Sequence, residues 1–240
     1  MEAPWFMSIK KNPQAEGKRL LMDAALTLTS NNRSLSSLSL RELSREAGLN
    51  PNTFYRHFKD FDDLGLTIIA ELTDQIRQPL RDLRREAAAS VLPLHAVDVS
   101  WEENPQLNMK RFMQVNKATI KLFFDFVASN PNAFIVGVRE LHGASKVMRH
   151  ALRNMMSAFA QDMAEDVEML NLLPGLDKGP LLALSEVISR DTFLLSMDYI
   201  ELPDQRDNIC LQAENLVATL FIGSTVIGGQ GALVVGAFED

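Results

Sequence analysis

Apolar residues recur at intervals of three and four along nearly the whole chain, which is the spacing of one face of an α-helix. No run of alternating apolar and polar residues is bounded by hairpin dipeptides, the pattern that would indicate paired strands. The sequence therefore predicts an all-α protein. Its predicted helices cover residues 16–31, 39–47, 51–57, 62–89, 108–129, 132–141, 145–172, 179–201 and 204–235.

Helix-breaking residues mark where the predicted helices stop and start. The stretches "SNPNAF", "LHGAS", "LLPGLDKGP" and "ELPD" place Pro, Gly, Asn or Asp at these points. Residues 90–107 contain two prolines and no clean period, which indicates an irregular connection. We expect one domain at 1–60, built from three short helices, and a larger helical domain at 61–240. The arginines of the predicted helix at 62–89 should lie on its outer side: Arg77, Arg81, Arg84 and Arg85.

Residues 39–58 carry the signals of two short helices joined by a tight turn. Ser39 can cap the first helix, and Glu42 three residues later completes a capping box. Gly48 permits a left-handed backbone at the helix end, Asn50 can cap the next helix, and Pro51 suits its first turn. Two short helices joined in this way form a helix-turn-helix unit, whose second helix fits the major groove.

The stretch "LNPNTFYRHF" separates into docking and DNA-facing residues. The docking residues are apolar and pin the short helix to its neighbours: Leu49, Phe54 and Phe58. The polar residues predicted to reach base edges are Asn52 and Thr53, with Arg41 on the preceding helix as the candidate for a guanine contact. The candidates for phosphate contacts are Tyr55, His57 and Lys59. A lone Tyr or His is commonly a partly buried structural residue, but these positions on a reading helix favour contact with DNA.

The charge distribution fits this division. The chain has a formal net charge of −7, but residues 1–59 contain nine Lys and Arg against five Asp and Glu, which is +4 and leaves −11 for residues 60–240. A basic end on an acidic body is typical of a nucleic-acid-binding head with a separate partner-binding body. A few solvated lysines would produce the same difference by chance.

Two features concern location. The apolar stretch 216–238 reaches membrane-spanning length but is rich in Gly, Ser, Thr and Gln, so we interpret it as a buried, close-packing helix and expect no membrane partner. The single cysteine, Cys210, rules out an internal disulfide framework, and the first thirty residues lack a signal-peptide pattern. Together these features predict a cytoplasmic protein.

The N-terminal motif also carries a family resemblance. "LSLRELSREAGLNPNTFYRHFKDFDDLGL" resembles the DNA-binding signature of the TetR family of bacterial repressors, over about the first 70 residues. The resemblance implies a homodimer that binds palindromic operator DNA through the head, with a helical C-terminal domain that dimerises and binds a small ligand. It further implies that Ser39, Tyr55, His57 and Lys59 hold phosphates, while Arg41, Asn52 and Thr53 face bases. Pro51 stands where some members place a polar base-reading residue.

A second resemblance is narrower. "FVASNPNAFIVGVRELHGAS", together with the head motif, is similar to the TetR-family repressors of unsaturated fatty-acid biosynthesis and desaturation. That similarity implies a long-chain acyl-CoA or fatty-acid ligand and fatty-acid genes as targets. It does not extend to the C-terminal third, where "IGSTVIGGQGALVVGAFED" is smaller and more apolar than in that subgroup.

The larger domain is well supplied with side chains suited to an acyl chain, because aromatic and methionine groups offer adaptable apolar surface. The candidate lining residues are Phe112, Phe123, Phe126, Phe134, Met155, Phe159 and Phe193. Core packing explains most of them equally well. Candidate anchors for a thioester, carboxylate or phosphate at the cavity mouth are Arg139, His142 and Arg149, and their alternative role is in salt bridges with Glu140 or with the acidic residues 162–168.

Dimerisation is predicted on the last two helices, where small residues allow helices to approach closely. The candidate interface residues are Leu216, Leu220, Gly223, Ile227 and Gly231. Two copies would form a four-helix bundle that presents two recognition helices about 34–36 Å apart, one turn of DNA.

Catalysis has no support in the sequence. It contains no glycine-rich phosphate loop or nucleophile elbow, and the four histidines lack a short metal-ligand spacing, so we expect neither an enzyme nor a bound metal or cofactor. Three functions remain open: a repressor that senses acyl ligands, a repressor of an efflux or catabolic operon released by another hydrophobic compound, and a helical lipid-binding protein without a role on DNA.

Overall fold

The computed structural model describes residues 13–30, 33–92, 100–101, 103–173 and 175–235, with side chains described from 15 to 226 within those ranges. Its helices are α1 (Pro13–Ser30), α2 (Leu40–Glu46), α3 (Phe61–Ser90), α4 (Pro105–Ser129), α5 (Pro131–Glu140), α6 (Lys146–Met169), α7 (Lys178–Glu201) and α8 (Arg206–Val235). Short 3₁₀ helices cover Leu35–Ser37, Pro51–Arg56 and Pro203–Gln205. None of these residues lies in a strand, so the all-α prediction is confirmed.

Local chemistry explains where several helices begin. Asp60 caps α3, because its Oδ1 accepts from the backbone N–H of Asp63 at 2.8 Å. Ser145 caps α6 by accepting from the N–H of Met148 at 3.2 Å. Prolines open α4 and α5, where the first turn needs no N–H donor. The predicted helix at 51–57 exists, but it is a 3₁₀ helix of six residues.

Two hydrophobic cores organise the chain. The first joins α1, α2 and the helix Pro51–Arg56, and its fully buried side chains include Leu21, Leu43, Phe54 and Phe58. The second lies among α4 to α8, with α3 along one side, and includes Phe124, Ile188 and Phe221. Residues up to 60 are called the head below, and the remainder the body.

The start of α3 ties the head to the body. Leu64 and Ile68 of α3, Val136 of α5 and Met148 of α6 all belong to the core of the head. Gly65 lets Met148 approach closely, since a Cβ at position 65 would lie 2.5 Å from the Met148 sulfur. The head therefore packs on three body helices rather than swinging on a linker, and the predicted division at residue 60 falls one residue before α3 begins.

The body is a bundle in which α3 packs against α4 and α6, α7 against α6 and α8, and α4 against α8. Helix α8 is less buried in one chain than its sequence predicts. Residues Pro203–Val226 are long and apolar enough to cross a membrane, with mean hydropathy 1.4, yet 22% of that apolar window is buried. Ala213, Val217 and Phe221 face the core, whereas Leu211 and Val226 are exposed.

Candidate nucleic-acid interface and ligand cavity

The turn between α2 and the helix Pro51–Arg56 has the predicted geometry. The Ser39 hydroxyl accepts from the N–H of Glu42 at 3.2 Å, which caps α2. Gly48 adopts φ +66°, a left-handed conformation that favours glycine. Asn50 Oδ1 then accepts from the N–H of Asn52 at 2.9 Å and caps the next helix, with Pro51 in its first turn.

The charged face of α2 is held by a neighbouring arginine. The guanidinium of Arg33 binds both carboxylate oxygens of Glu42, with Nη2 at 3.1 Å from Oε2. This hydrogen bond lowers the pKa of Glu42. The carboxylate that the sequence assigns to a capping box thus also fixes the connection before α2.

The helix Pro51–Arg56 is pinned by aromatic packing. Phe54 and Phe58 are each 2% exposed, and their ring centroids lie 5.6 Å apart. Phe54 also lies 5.3 Å from the ring of Phe61 at the start of α3. Leu49 packs against the same core while remaining half-buried. These aromatic contacts hold the short helix against the core of the head.

The predicted DNA-facing residues share the surface around this helix. Tyr55 is 66% exposed although it directly follows the buried Phe54. The other candidates that lie exposed are Ser39, Arg41, Asn52 and Lys59, and those that lie half-buried are Thr53 and His57. The His57 ring rests on α1, since a Cβ at Gly17 would lie 3.2 Å from its Nε2. All seven candidates are thus at least partly accessible on the head, where their contacts with DNA stay a prediction.

A cavity of about 140 Å³ runs through the body. All seven predicted apolar lining residues lie on its wall: Phe112, Phe123, Phe126, Phe134, Met155, Phe159 and Phe193. One face of α3 contributes from Gly65 to Arg84, and Leu26 and Leu35 of the head also line it. Nineteen residue steps of α-helix span roughly 28 Å, so the cavity is long and narrow. Such a shape suits an extended apolar chain.

The three predicted polar anchors lie elsewhere. Arg139 donates to the backbone carbonyl of Ser30 at 2.6 Å, at the end of α1. Arg149 donates to the carbonyls of Gly143 and Ala144, the latter at 3.0 Å, and His142 is exposed. None of the three lines the cavity. Their placement corrects the expectation of a cavity mouth at this corner. Arg139 satisfies a carbonyl at the end of α1, and Arg149 satisfies carbonyls in the turn between α5 and α6.

The arginines of α3 also differ from expectation. Arg84 is 4% exposed and donates from Nη1 to Oδ2 of Asp166 at 2.8 Å, and Asp166 itself is fully buried. Arg81 bridges Asp166 and Asp162, with Nη1 at 2.9 Å from Asp162 Oδ1. Arg77 also binds Asp162, with Nη2 at 2.8 Å from Oδ1. The prediction that these arginines lie on the outer side of α3 is therefore wrong for Arg81 and Arg84, while Arg77 remains exposed. All three form salt bridges with α6, and this set of contacts is called the ionic seam below.

Burial and pairing pull the ionisation of this seam in opposite directions. Burial would raise the pKa of Asp162, but the hydrogen bond from Arg77 and the charges of Arg77 and Arg81 hold it below its ordinary value. Burial lowers the pKa of Arg84, and Asp166 opposes that shift. Asp162 and Arg84 each have an oppositely charged partner on the facing helix, Asp162 in Arg77 and Arg81 and Arg84 in Asp166, and each partner opposes the effect of burial.

Polar groups inside the cavity were not predicted. Among the described residues that line the cavity, Arg84 is the charged one. Thr192 also lines it, and its buried hydroxyl has no hydrogen-bond partner among the described residues. Asn116 also lines the wall and donates from Nδ2 to the carbonyl of Glu214 at 2.8 Å. Each of these residues lies at the helical spacing of its apolar neighbours. Their position on the cavity wall therefore becomes visible only when the helices are packed together.

The predicted dimer residues are only partly at the surface. Leu216 and Leu220 are half-buried, and Leu220 packs against the body core. A Cβ at Gly223 would meet open space. Ile227 and Gly231 lie outside the residues whose side chains are described. Exposed apolar side chains lie instead on other faces of α7 and α8: Leu182, Val187, Leu194, Leu211 and Val226.

The described residues offer little support for metal binding or for a reactive thiol. Among the described residues, no group of three or more His, Cys, Asp or Glu side chains is arranged to hold a metal ion. Cys210 is half-buried, and burial together with nearby carboxylates raises the pKa of its thiol. A raised thiol pKa disfavours the reactive thiolate at neutral pH.

Solved structures of several regulators share this fold. A fatty acid degradation regulator, FadR from Bacillus halodurans, matches with a TM-score of 0.59 at 14% identity, covering 89% of this chain and 97% of the other. A putative TetR-family transcriptional regulator from Syntrophomonas wolfei matches at 0.60 and 15% identity, covering 87% and 96%. FadR from Bacillus subtilis, in complex with stearoyl-CoA, matches at 0.51 and 14% identity, covering 85% and 97%. No protein-family model matches the sequence. At these identities the likeness establishes a TetR-like fold.

Proposed function

We propose that this protein is a homodimeric transcriptional repressor that binds palindromic operator DNA and responds to a long-chain acyl-CoA or fatty acid. One observation carries the DNA-binding part: the helix Pro51–Arg56 is pinned from beneath by Phe54 and Phe58 while Tyr55 and its polar neighbours stand exposed. A helix held in this way after a tight turn fits the major groove. The protein would act in the cytoplasm, without catalysis.

Basic and hydrogen-bonding groups on this surface divide into two roles. Ser39, Tyr55, His57 and Lys59 would hold phosphate oxygens and set the position of the head on the duplex. Arg41, Asn52 and Thr53 would read base edges, with Arg41 suited to the paired acceptors of a guanine. Exposure of Arg41 and Lys59 supports these roles, because both cations are accessible to DNA.

The ligand class follows from the cavity. Its length along α3 of roughly 28 Å fits an extended chain better than a compact aromatic compound. Its present volume of about 140 Å³ is below the ~300 Å³ of a typical ligand site, so the wall must yield on binding. Met155, Met156 and Met163 line it, and methionine side chains adapt readily to a new shape. One neighbour in the fold is described as a fatty acid degradation regulator, and another is a transcriptional regulator in complex with stearoyl-CoA.

Dimerisation would cover the exposed apolar residues of α7 and α8. Leu194 and Val187 lie seven residues apart on one face of α7, and both are exposed. On α8, Leu211 and Val226 are 52% and 56% exposed. Packing these faces about a two-fold axis would give a four-helix bundle between two heads, with Gly223 allowing close approach.

DNA binding is tested by gel shift on DNA from upstream of the protein's own and neighbouring genes, across a range of salt concentrations. We expect tight binding to one inverted repeat and a steep loss of affinity with salt, as phosphate contacts require. Equal, weak binding to all DNA would instead support a lipid-binding protein without a role on DNA.

The ligand class is tested by thermal shift with fatty acids and acyl thioesters of several chain lengths. We expect stabilisation that increases with chain length, because each buried methylene contributes about 0.8 kcal/mol. Specific DNA binding combined with no shift from any acyl compound would favour the repressor of an efflux or catabolic operon.

A further inference from the structure

A second depression lies beside the apolar cavity, between α1, α3 and the turn from α4 to α5. It has a volume of about 460 Å³ and is called the α1–α3 groove here. Its wall is largely polar and accessible: Arg19, Asp23, Thr27, Glu71, Gln75, Ser129, Asn130 and Asn132. It lies between the head and the body, since α1 belongs to the head and α3 begins the body.

The groove and the cavity share a wall. Leu26 of α1, Ile68 and Leu72 of α3 and Ala133 of α5 line both. A single layer of side chains therefore separates a polar, open space from a long apolar one. Ala133 has the smallest side chain of the four, so the wall between the groove and the cavity is thinnest at this residue.

We propose that the α1–α3 groove is the entrance to the cavity and the seat of the ligand's polar head, and that this head is a single carboxylate, not a nucleotide thioester. This inference rests on the proposed acyl ligand and specifies how that ligand is held. The apolar chain would pass the wall at Ala133 and lie along α3.

Placing the polar head at the other end of the cavity is unfavourable. Arg84 is the charged residue on the described cavity wall, but it already pairs with the fully buried Asp166. The α3–α6 seam balances three arginines with three carboxylates. A second buried anion beside Arg84 would lack a cation of its own, which is costly at low dielectric. In the open groove a carboxylate keeps part of its hydration.

The charges of the groove select a small anion. Arg19 is exposed and has no salt-bridge partner among the described residues, so its guanidinium is free to bind a carboxylate. Glu71 is held by Lys18 at 2.7 Å, which balances that pair. Asp23, four residues along α1 from Arg19, adds a negative charge on the same wall and has no salt-bridge partner among the described residues. One carboxylate finds its partner in Arg19, whereas several phosphates would meet Asp23 and Glu71.

The position of the groove also couples binding to the head. Lys18 holds α1 to α3 through Glu71, and Arg139 of α5 holds the other end of α1 through the carbonyl of Ser30. A head group seated between these two attachments separates α1 from α3. Since α1 shares its core with the helix Pro51–Arg56, the orientation of that helix follows α1.

The first test compares palmitate, palmitoyl-CoA and cetyl alcohol on the full-length protein by titration calorimetry. We expect palmitate to bind more tightly than palmitoyl-CoA. Arg19→Gln should weaken palmitate by roughly three- to tenfold, as expected for loss of a charge-assisted hydrogen bond at an accessible site, and should leave cetyl alcohol unchanged. Tighter binding of palmitoyl-CoA, or no effect of Arg19→Gln on palmitate, would overturn the carboxylate assignment.

The second test concerns the entrance. Ala133→Phe fills the shared wall and should slow palmitate association by about tenfold or more in stopped-flow fluorescence, because the chain must pass this point. The matched control is Ala128→Phe, at an exposed position of α4 that lines neither space. Equal association rates in both variants would place the entrance elsewhere. Failure of every acyl compound to bind the unaltered protein would instead refute the proposed ligand class.

Discussion

Removing one partner of the ionic seam between α3 and α6 should lower the free energy of unfolding by an amount that depends on which partner is removed. Asp166→Asn leaves Arg84, which is 4% exposed, without a charged partner of its own, and we expect a loss of about 3 kcal/mol in the free energy of unfolding. Arg84→Met leaves Asp166 bound to Arg81, whose Nη2 lies 3.0 Å from Oδ1. That variant loses one charged hydrogen bond, which is worth about 1.5 kcal/mol.

Urea denaturation at a fixed protein concentration measures both values, because the stability of a dimer depends on concentration. For a chain of this size the larger loss corresponds to roughly 6–12 °C in Tm. Asp82→Asn serves as the control, since Asp82 is half-exposed and its contact with Arg85 is 3.4 Å, so we expect a change within about 0.5 kcal/mol. Equal losses in Asp166→Asn and Arg84→Met, or the reverse order, would refute the argument from uncompensated burial.

Three other predictions concern DNA, assembly and pH. Arg41→Ala should cost ~1–3 kcal/mol at mainly one base position in a binding-site selection, whereas Tyr55→Phe should weaken all sequences alike; unchanged base preference in Arg41→Ala would contradict the assignment. Val226→Glu should yield monomers in light scattering, and the exposed Leu66→Glu should not. Because the pKa of Asp162 is lowered from 3.8 in the folded state, its stabilisation is present above that pH and lost below it. Acid unfolding should therefore be steeper in the unaltered protein than in Asp162→Asn.

Local signals allowed much of the head to be predicted. The cap at Ser39, the left-handed Gly48 and the cap at Asn50 each depend on a few adjacent residues, and each appears in the structure as expected. Pro51 and the buried Phe54 and Phe58 likewise follow from spacing within one turn. Helical periodicity and Pro or Gly stops placed the body helices equally well. The seven aromatic and methionine residues on the cavity wall share an apolar character that the sequence displays directly.

Charged residues of the body were harder to place, for a physical reason. Arg77, Arg81 and Arg84 repeat at helical spacing, which is typical of a solvated face. Their partners Asp162 and Asp166 lie about eighty residues away on α6, and only the packing of α3 on α6 brings them together. A sequence shows neither that packing nor the carbonyls of Ser30 and Gly143 that occupy Arg139 and Arg149.

We expect a ligand in the body to control how the head binds DNA. Fluorescence anisotropy tests it directly, with a labelled inverted repeat from upstream of the gene and a scrambled duplex, each titrated with and without palmitate at one salt concentration. We expect the repeat to bind at least about a thousandfold more tightly than the scrambled duplex, and palmitate to change its Kd by about fivefold or more. Equal affinity for both duplexes would contradict sequence-specific binding by the head, and a repeat whose Kd does not respond to saturating palmitate would contradict control by a ligand in the body.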